Sequence, residues 1–197
     1  MSGGNALTIK VDTAALSGLA GKLAAAGNKA PQALARAINH TGDKAKTAMG
    51  RALVKQTGLK YATMNRALRP LSATAGSLTY TIKARGGNVS LRYFKPKETR
   101  PGVTAAPWNR RRLYAGTFMK AGWWPRRVTK PGWHGQVFAR TGDKTETGMD
   151  KFQKQRSGLF IPREMVTGKS RQAFDDTVAT NLPGRLAHEL GRVFGGR

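Results

Sequence analysis

The chain reads as an α+β protein: a small antiparallel β-sheet flanked by N-terminal helices and a long C-terminal helix, with an extended basic loop or arm. Three observations predict this. Apolar residues recur at helical spacing from about residue 34 to 53, alternate with polar ones between residues 78 and 93, and return to helical spacing after residue 170. Helices, then strands, then a helix is the order expected when helices gather on one side of an antiparallel sheet.

Residues 1–5 are glycine-rich and predict a loose tail. Residues 6–11 suit a short strand, and Asp12 and Thr13 suit the cap of a first helix carrying Leu16, Leu19, Ala20 and Leu23 up to Gly27. Asn28 and Pro31 open a second helix whose Leu34, Ile38, Ala45, Met49 and Leu53 share a face; it ends near Lys55, with Gly58 as its stop and Gly42 as a possible bend. A short third helix near residues 60–68 must end before Pro70.

The period then changes. Leu78, Tyr80 and Ile82, followed by Val89, Leu91 and Tyr93, predict a hairpin turning at residues 85–88. Residues 95–108 are polar and broken by proline, and predict a loop or arm. Residues 113–119 and 136–140 suit strands joined by a loop over 120–135. Residues 143–157 are polar enough to be mobile, and residues 158–162 suit an edge strand stopped by Pro162. Ser170 is placed to cap the last helix, which Pro183 should kink or divide with Asn181 capping its second half. The whole is expected to form one domain over residues 1–197.

Composition narrows the function. Thirty-five basic residues against ten acidic ones leave a formal charge of +25. Self-repulsion on that scale is tolerated when anions or acidic surfaces lie nearby. The charge is uneven, since Glu98 is the single acid between Lys44 and Gly142. The lack of cysteine removes disulfides, thiolate metal sites and thiol catalysis together. His40, His134 and His188 are scattered, with no metal-ligand spacing, and no phosphate loop or nucleophile elbow occurs. No enzyme, metal or cofactor is expected. The opening residues carry no hydrophobic leader, and no run of about 18 apolar residues suits a membrane span.

The stretch from Trp108 to Arg140 concentrates what remains: all four tryptophans, six arginines, two lysines and no acid. Trp and Arg are the residues enriched at contact hot spots, so the stretch predicts a partner-facing surface. The candidate aromatic anchors are Trp108, Trp123, Trp124 and Trp133. The candidate cations are Arg110, Arg111, Arg112, Arg126, Arg127 and Lys130. Three readings stand for these cations: phosphate contact, pairing with acidic neighbouring subunits, and plain solvation.

Three motifs, in order, resemble the minor tail protein Z family of long-tailed phages, the lambda-like tail completion proteins. One is Ala37-Ile38-Asn39 with its basic continuation. A second is residues 113–118 followed by Gly135-Gln136-Val137-Phe138-Ala139-Arg140. A third is residues 159–162 leading to Leu182-Pro183 and His188-Glu189-Leu190. The resemblance spans about residues 30–194 and does not cover the tryptophans at 123, 124 and 133 or the segment 95–108. It implies a virion structural protein of the tail or neck: a subunit of a homo-oligomeric ring that meets the tail tube or tail terminator protein and the head–tail connector. Contact with the packaged DNA end is compatible with it, and no membrane is involved. A basic nucleic-acid-binding protein with backbone-directed contacts is the alternative reading.

Overall fold

The computed structural model describes residues 6–10 and 26–194. In chain order the elements are β1 (Ala6–Lys10), α1 (Ala30–Thr57), α2 (Tyr61–Ala67), β2 (Leu68–Leu71), β3 (Thr79–Ala84), β4 (Asn88–Ser90), β5 (Lys97–Thr99), β6 (Gly102–Ala105), β7 (Arg112–Ala115), β8 (Thr117–Phe118), β9 (Phe138–Lys144), β10 (Asp150–Lys154), β11 (Arg156–Phe160), α3 (Ile161–Met165) and α4 (Gly168–Phe194). The fold is α+β, with small antiparallel sheets and a long C-terminal helix. The tail at residues 1–5 and the helix expected to carry Leu16, Leu19, Ala20 and Leu23 lie outside the described residues. Where the sequence suggests one domain, internal packing groups the chain into two compact units: residues 1–53, 61–85 and 162–197, and residues 54–60 with 86–161.

The first unit holds the sheet β1-β3-β2 together with α2, α4 and most of α1. The α1 face proposed from spacing is the buried one: Leu34, Ile38, Ala45, Met49 and Leu53 are all buried. Gly42 lies inside α1, which is continuous through it, and serves packing. A Cβ built there would lie 2.6 Å from ring carbons of Tyr80, so the missing side chain is the seat of that ring. The Tyr80 hydroxyl then donates to Asp43 Oδ1 at 2.8 Å. Asn39 pins the loop after β2 with its amide, donating to the Ala73 carbonyl (2.9 Å) and accepting from the Ala73 N–H (2.7 Å). Gly58, at φ +78, ends α1 as expected, its N–H closing on the Val54 carbonyl at 2.9 Å.

Two expectations fail in the helices. Pro183 does not divide α4: the helix runs unbroken from Gly168 to Phe194. Phe174, Leu182, Leu186 and Leu190 are buried on both sides of the proline, and this packing offsets the lost hydrogen bond. Asn181 is no cap, since its amide donates back to the Thr177 carbonyl. Ser170 lies inside α4; its hydroxyl donates to carbonyls of the preceding turn at Met165 and Thr167.

The second unit contains the sheets β5-β6-β7, β10-β9-β8 and the pair β11-β4. The hairpin expected at 78–93 does not form. β3 pairs with β1 and β2, whereas β4 pairs with β11. After Ser90, whose hydroxyl accepts from the Arg92 N–H, residues 91–94 wind into a 3-10 turn. Leu91 and Phe94, three apart, are both buried by that turn, whereas Tyr93, expected to continue the alternation, is exposed.

Residues 95–108 are not a loop, because they form β5 and β6. Gly102 looks like a breaker, yet a Cβ there would meet the Tyr114 carbonyl at 2.2 Å, so glycine is what permits β6 to pass β7. Residues 143–157 likewise form strands rather than a mobile loop. β9 and β10 make a hairpin in which every residue of β10 is exposed, and a turn closed by Thr145 and Met149 joins them. The expected strand pair around Phe118 and Phe138 is present, these two residues facing each other in β8 and β9.

Candidate interaction surface

The second unit carries 18 basic and 4 acidic residues, against 17 and 6 in the first. What those four acids do decides which cations are free to face a partner. Glu98, on β5, is buried, its side chain 5% exposed, and lies 2.6 Å from Arg127 Nη2. Arg127 also donates Nη1 to the carbonyls of Gly122 (2.8 Å) and Lys120 (3.3 Å). Asp150, on β10, takes both Arg140 and Lys144. The hydrogen bond from Lys144, then its charge, and then Arg140 hold the Asp150 carboxyl below the usual carboxylate range. Among the described residues no carboxylate lies within ion-pair distance of Arg110, Arg111, Arg112, Arg126 or Lys130.

The ten residues singled out from the sequence fall into three groups. Trp123, Trp124 and Arg126 sit at the end of a loop that is pinned at its base. Ala121 and Val128 exchange both backbone hydrogen bonds at 2.8 Å, and Arg127 ties the loop to its own carbonyls and to Glu98. The loop end is open to solvent: Trp123 is 84% exposed and Trp124 50%, with Val128 also exposed. Lys130 follows on the exposed chain leading to a 3-10 turn at Pro131–Trp133.

Trp108, Arg110 and Arg112 form a second group. The turn Pro107–Asn109 holds Trp108 at φ +53, and the Asn109 amide fixes that turn by donating to the Lys55 carbonyl at 2.7 Å. Arg112 stands with its guanidinium carbon 5.6 Å from the Trp108 ring centroid and 5.1 Å from that of Tyr114. Its Nε donates to the Tyr114 hydroxyl and its Nη2 to the Ser157 carbonyl. Arg110 is exposed.

The remaining three work inside the unit. Arg111 donates to Thr104 and to the Lys95 carbonyl, securing β5 and β6. Arg127 is the staple already described. Trp133 is half-buried in an aromatic cluster, its ring centroid 5.0 Å from Phe138, 5.6 Å from Phe152 and 5.9 Å from Phe118. Such edge and tilted contacts each contribute about 1 kcal/mol beyond burial.

Sequence reasoning missed Tyr114, Lys154 and Arg156 beside Arg112, and the staple formed by Glu98. The signal for the staple was the isolation of that one acid in a cationic tract. Among the described residues no cluster of His, Asp and Glu could hold a metal ion, and no helix is long and apolar enough to cross a membrane. Comparison with protein-family models, with characterised proteins and with solved structures gave no match.

Proposed function

We propose that this protein is a structural subunit of a phage tail, a completion or neck ring component that joins the tail tube to the head connector. The resemblance in motif order names the kind of particle. The observation that carries the need for partners is the stapled loop ending in Trp123 and Trp124. Burying the exposed parts of two indoles contributes on the order of 5 kcal/mol in gross hydrophobic free energy. A loop held rigid while presenting them loses little entropy on docking.

A closed ring is built from heterologous contacts, so each subunit offers two different surfaces to its neighbours. The tryptophan loop is one candidate. The β9–β10 hairpin is the other, since β10 is the edge strand of the sheet β10-β9-β8 and all of its residues are exposed, which leaves its outer edge open to pairing. Native mass spectrometry of the full chain across a concentration series tests this reading. A discrete oligomer that the double substitution Trp123→Ala, Trp124→Ala disrupts is expected. A strict monomer at every concentration, with or without tail-tube and connector proteins, overturns it.

A further inference from the structure

Two open cavities of the second unit adjoin at Arg112. One, of about 650 Å³, is lined by Gln56, Pro107, Trp108, Arg110 and Arg112. The other, of about 560 Å³, has Arg112, Tyr114, Lys154 and Arg156 in its wall, with the amide side chains of Asn88 and Gln155. Together they make a groove with four cations, two aromatic rings and no carboxylate. None of the four cations has an acidic partner among the described residues: Glu98 pairs with Arg127, and Asp150 with Arg140 and Lys144.

We propose that this groove binds single-stranded nucleic acid. A cationic channel that tracks the backbone, with π-faces on which bases stack, is the combination that single strands require. Trp108 and Tyr114 flank the Arg112 guanidinium, so ring faces and positive charge alternate along the groove. The hydrogen bonds to Tyr114 and Ser157 hold Arg112 in place without neutralising it. A duplex keeps its bases stacked on one another and would leave both rings idle. An acidic peptide would use the charges and offer nothing to the rings. The proposal does not depend on the tail reading, since it concerns a different set of residues from the tryptophan loop.

Fluorescence anisotropy of the full chain with a labelled oligothymidine of about 20 nucleotides tests it. Arg110→Gln with Lys154→Gln should weaken binding at least tenfold and make the dependence on salt shallower, by about 0.7 in log–log slope for each phosphate no longer neutralised. Trp108→Leu should weaken it about fivefold or more, the low end of what one stacked base contributes. Arg126→Gln with Lys130→Gln removes the same charge from the loop and should stay within about threefold of the parent, the residual long-range effect of net charge. Equal losses from the two charge-matched pairs would mean a diffuse cationic coat and would overturn the groove. So would a duplex of equal length binding as tightly, polyglutamate displacing the oligothymidine as readily as unlabelled strand does, or no binding at low salt. Loss of ring assembly with oligothymidine binding intact would strike the tail reading alone.

Discussion

Each of the two units buries one glutamate against arginine, and the difference between them explains where this protein keeps its charge. In the first unit Glu189, its side chain 1% exposed, receives Arg36 at 2.8 Å and Arg185 at 2.5 Å, with Arg192 at 3.9 Å. Burial alone would raise its carboxyl, but the hydrogen bond from Arg36 and the charges of Arg185, Arg36 and Arg192 outweigh that and hold it below the usual range. Three guanidinium groups are thereby made part of the structure. In the second unit Glu98 takes one arginine, Arg127, and that pair fixes a loop. Asp150 takes Arg140 and Lys144, and Arg111 and Arg112 have carbonyl, hydroxyl or aromatic neighbours, which position them without cancelling their charge. The lesson is that a basic residue next to a carboxylate belongs to the fold, whereas one oriented only by carbonyls and rings is available to an external anion.

Removing the hub should therefore have the largest effect. Glu189→Ala removes the one buried carboxylate that three partly exposed arginines share and should cost about 3 kcal/mol, the lower end for a broken buried pair because Arg36 and Arg192 can turn to water. Thermal unfolding checks this. A loss below about 0.5 kcal/mol, the scale of an ordinary surface change, would show that Glu189 is dispensable and the contrast between the units is false.

Packing in the first unit gives a smaller effect of unusual sign. Alanine for glycine inside a helix ordinarily stabilises by about 1 kcal/mol. At Gly42 the new methyl would meet the Tyr80 ring at 2.6 Å, so Gly42→Ala should instead destabilise by about 2 kcal/mol. A rise in melting temperature would place Tyr80 elsewhere.

Acid sharpens the same comparison. His40 is held below its ordinary value of 6.5 by burial and then by the charges of Arg185 and Lys44, so the folded state disfavours its protonation. Glu189, also depressed from 4.5, favours the ionised form when folded. In both cases the unfolded chain binds the proton more readily. Stability is thus fully present above the unfolded value and is lost as pH falls, first below about 6.5 and again below about 4.5. Melting temperature followed from neutral to acid pH should show both declines, and Glu189→Gln should remove the lower one.

Much of this was open to reading from residue order, and the failures have identifiable causes. The buried face of α1 and its end at Gly58 follow from local spacing and glycine chemistry, which act over a few residues, whereas the pairing of Phe118 with Phe138 was suggested by the resemblance in motifs. The hairpin at 78–93 failed because a strand's partner is chosen at long range: β4 found β11, almost seventy residues away. Residues 95–108 failed because proline and glycine mark loops on average, and nothing local announces that Gly102 makes room for a neighbouring strand. Of the candidate surface, the density of Trp and Arg was legible, but its division was not. Whether an arginine faces outward depends on where the few acids lie in space, so Arg127 could not be separated from Arg126 without the fold.

A small effect tests the staple itself. Glu98→Gln keeps the shape of the side chain and removes the charge facing Arg127, and should cost about 1–2 kcal/mol. The loss should be local, read as faster hydrogen exchange at the Ala121 and Val128 amides, which close the base of the loop. Uniform acceleration across the second unit would assign Glu98 to general stability instead.

The smallest change in stability belongs to the residues most exposed. Trp123→Ala with Trp124→Ala removes one indole that is 84% exposed and one that is 50% exposed, so stability should change by little more than surface substitutions do, within about 1 kcal/mol. Trp133→Ala is the matched control, since it opens the cluster of Phe118, Phe138 and Phe152 and should cost about 3 kcal/mol. The same chemical truncation then separates the two kinds of tryptophan in one measurement. If the 123/124 pair proved as costly as Trp133, the loop would be holding the unit together, and its indoles would not be free to anchor a partner.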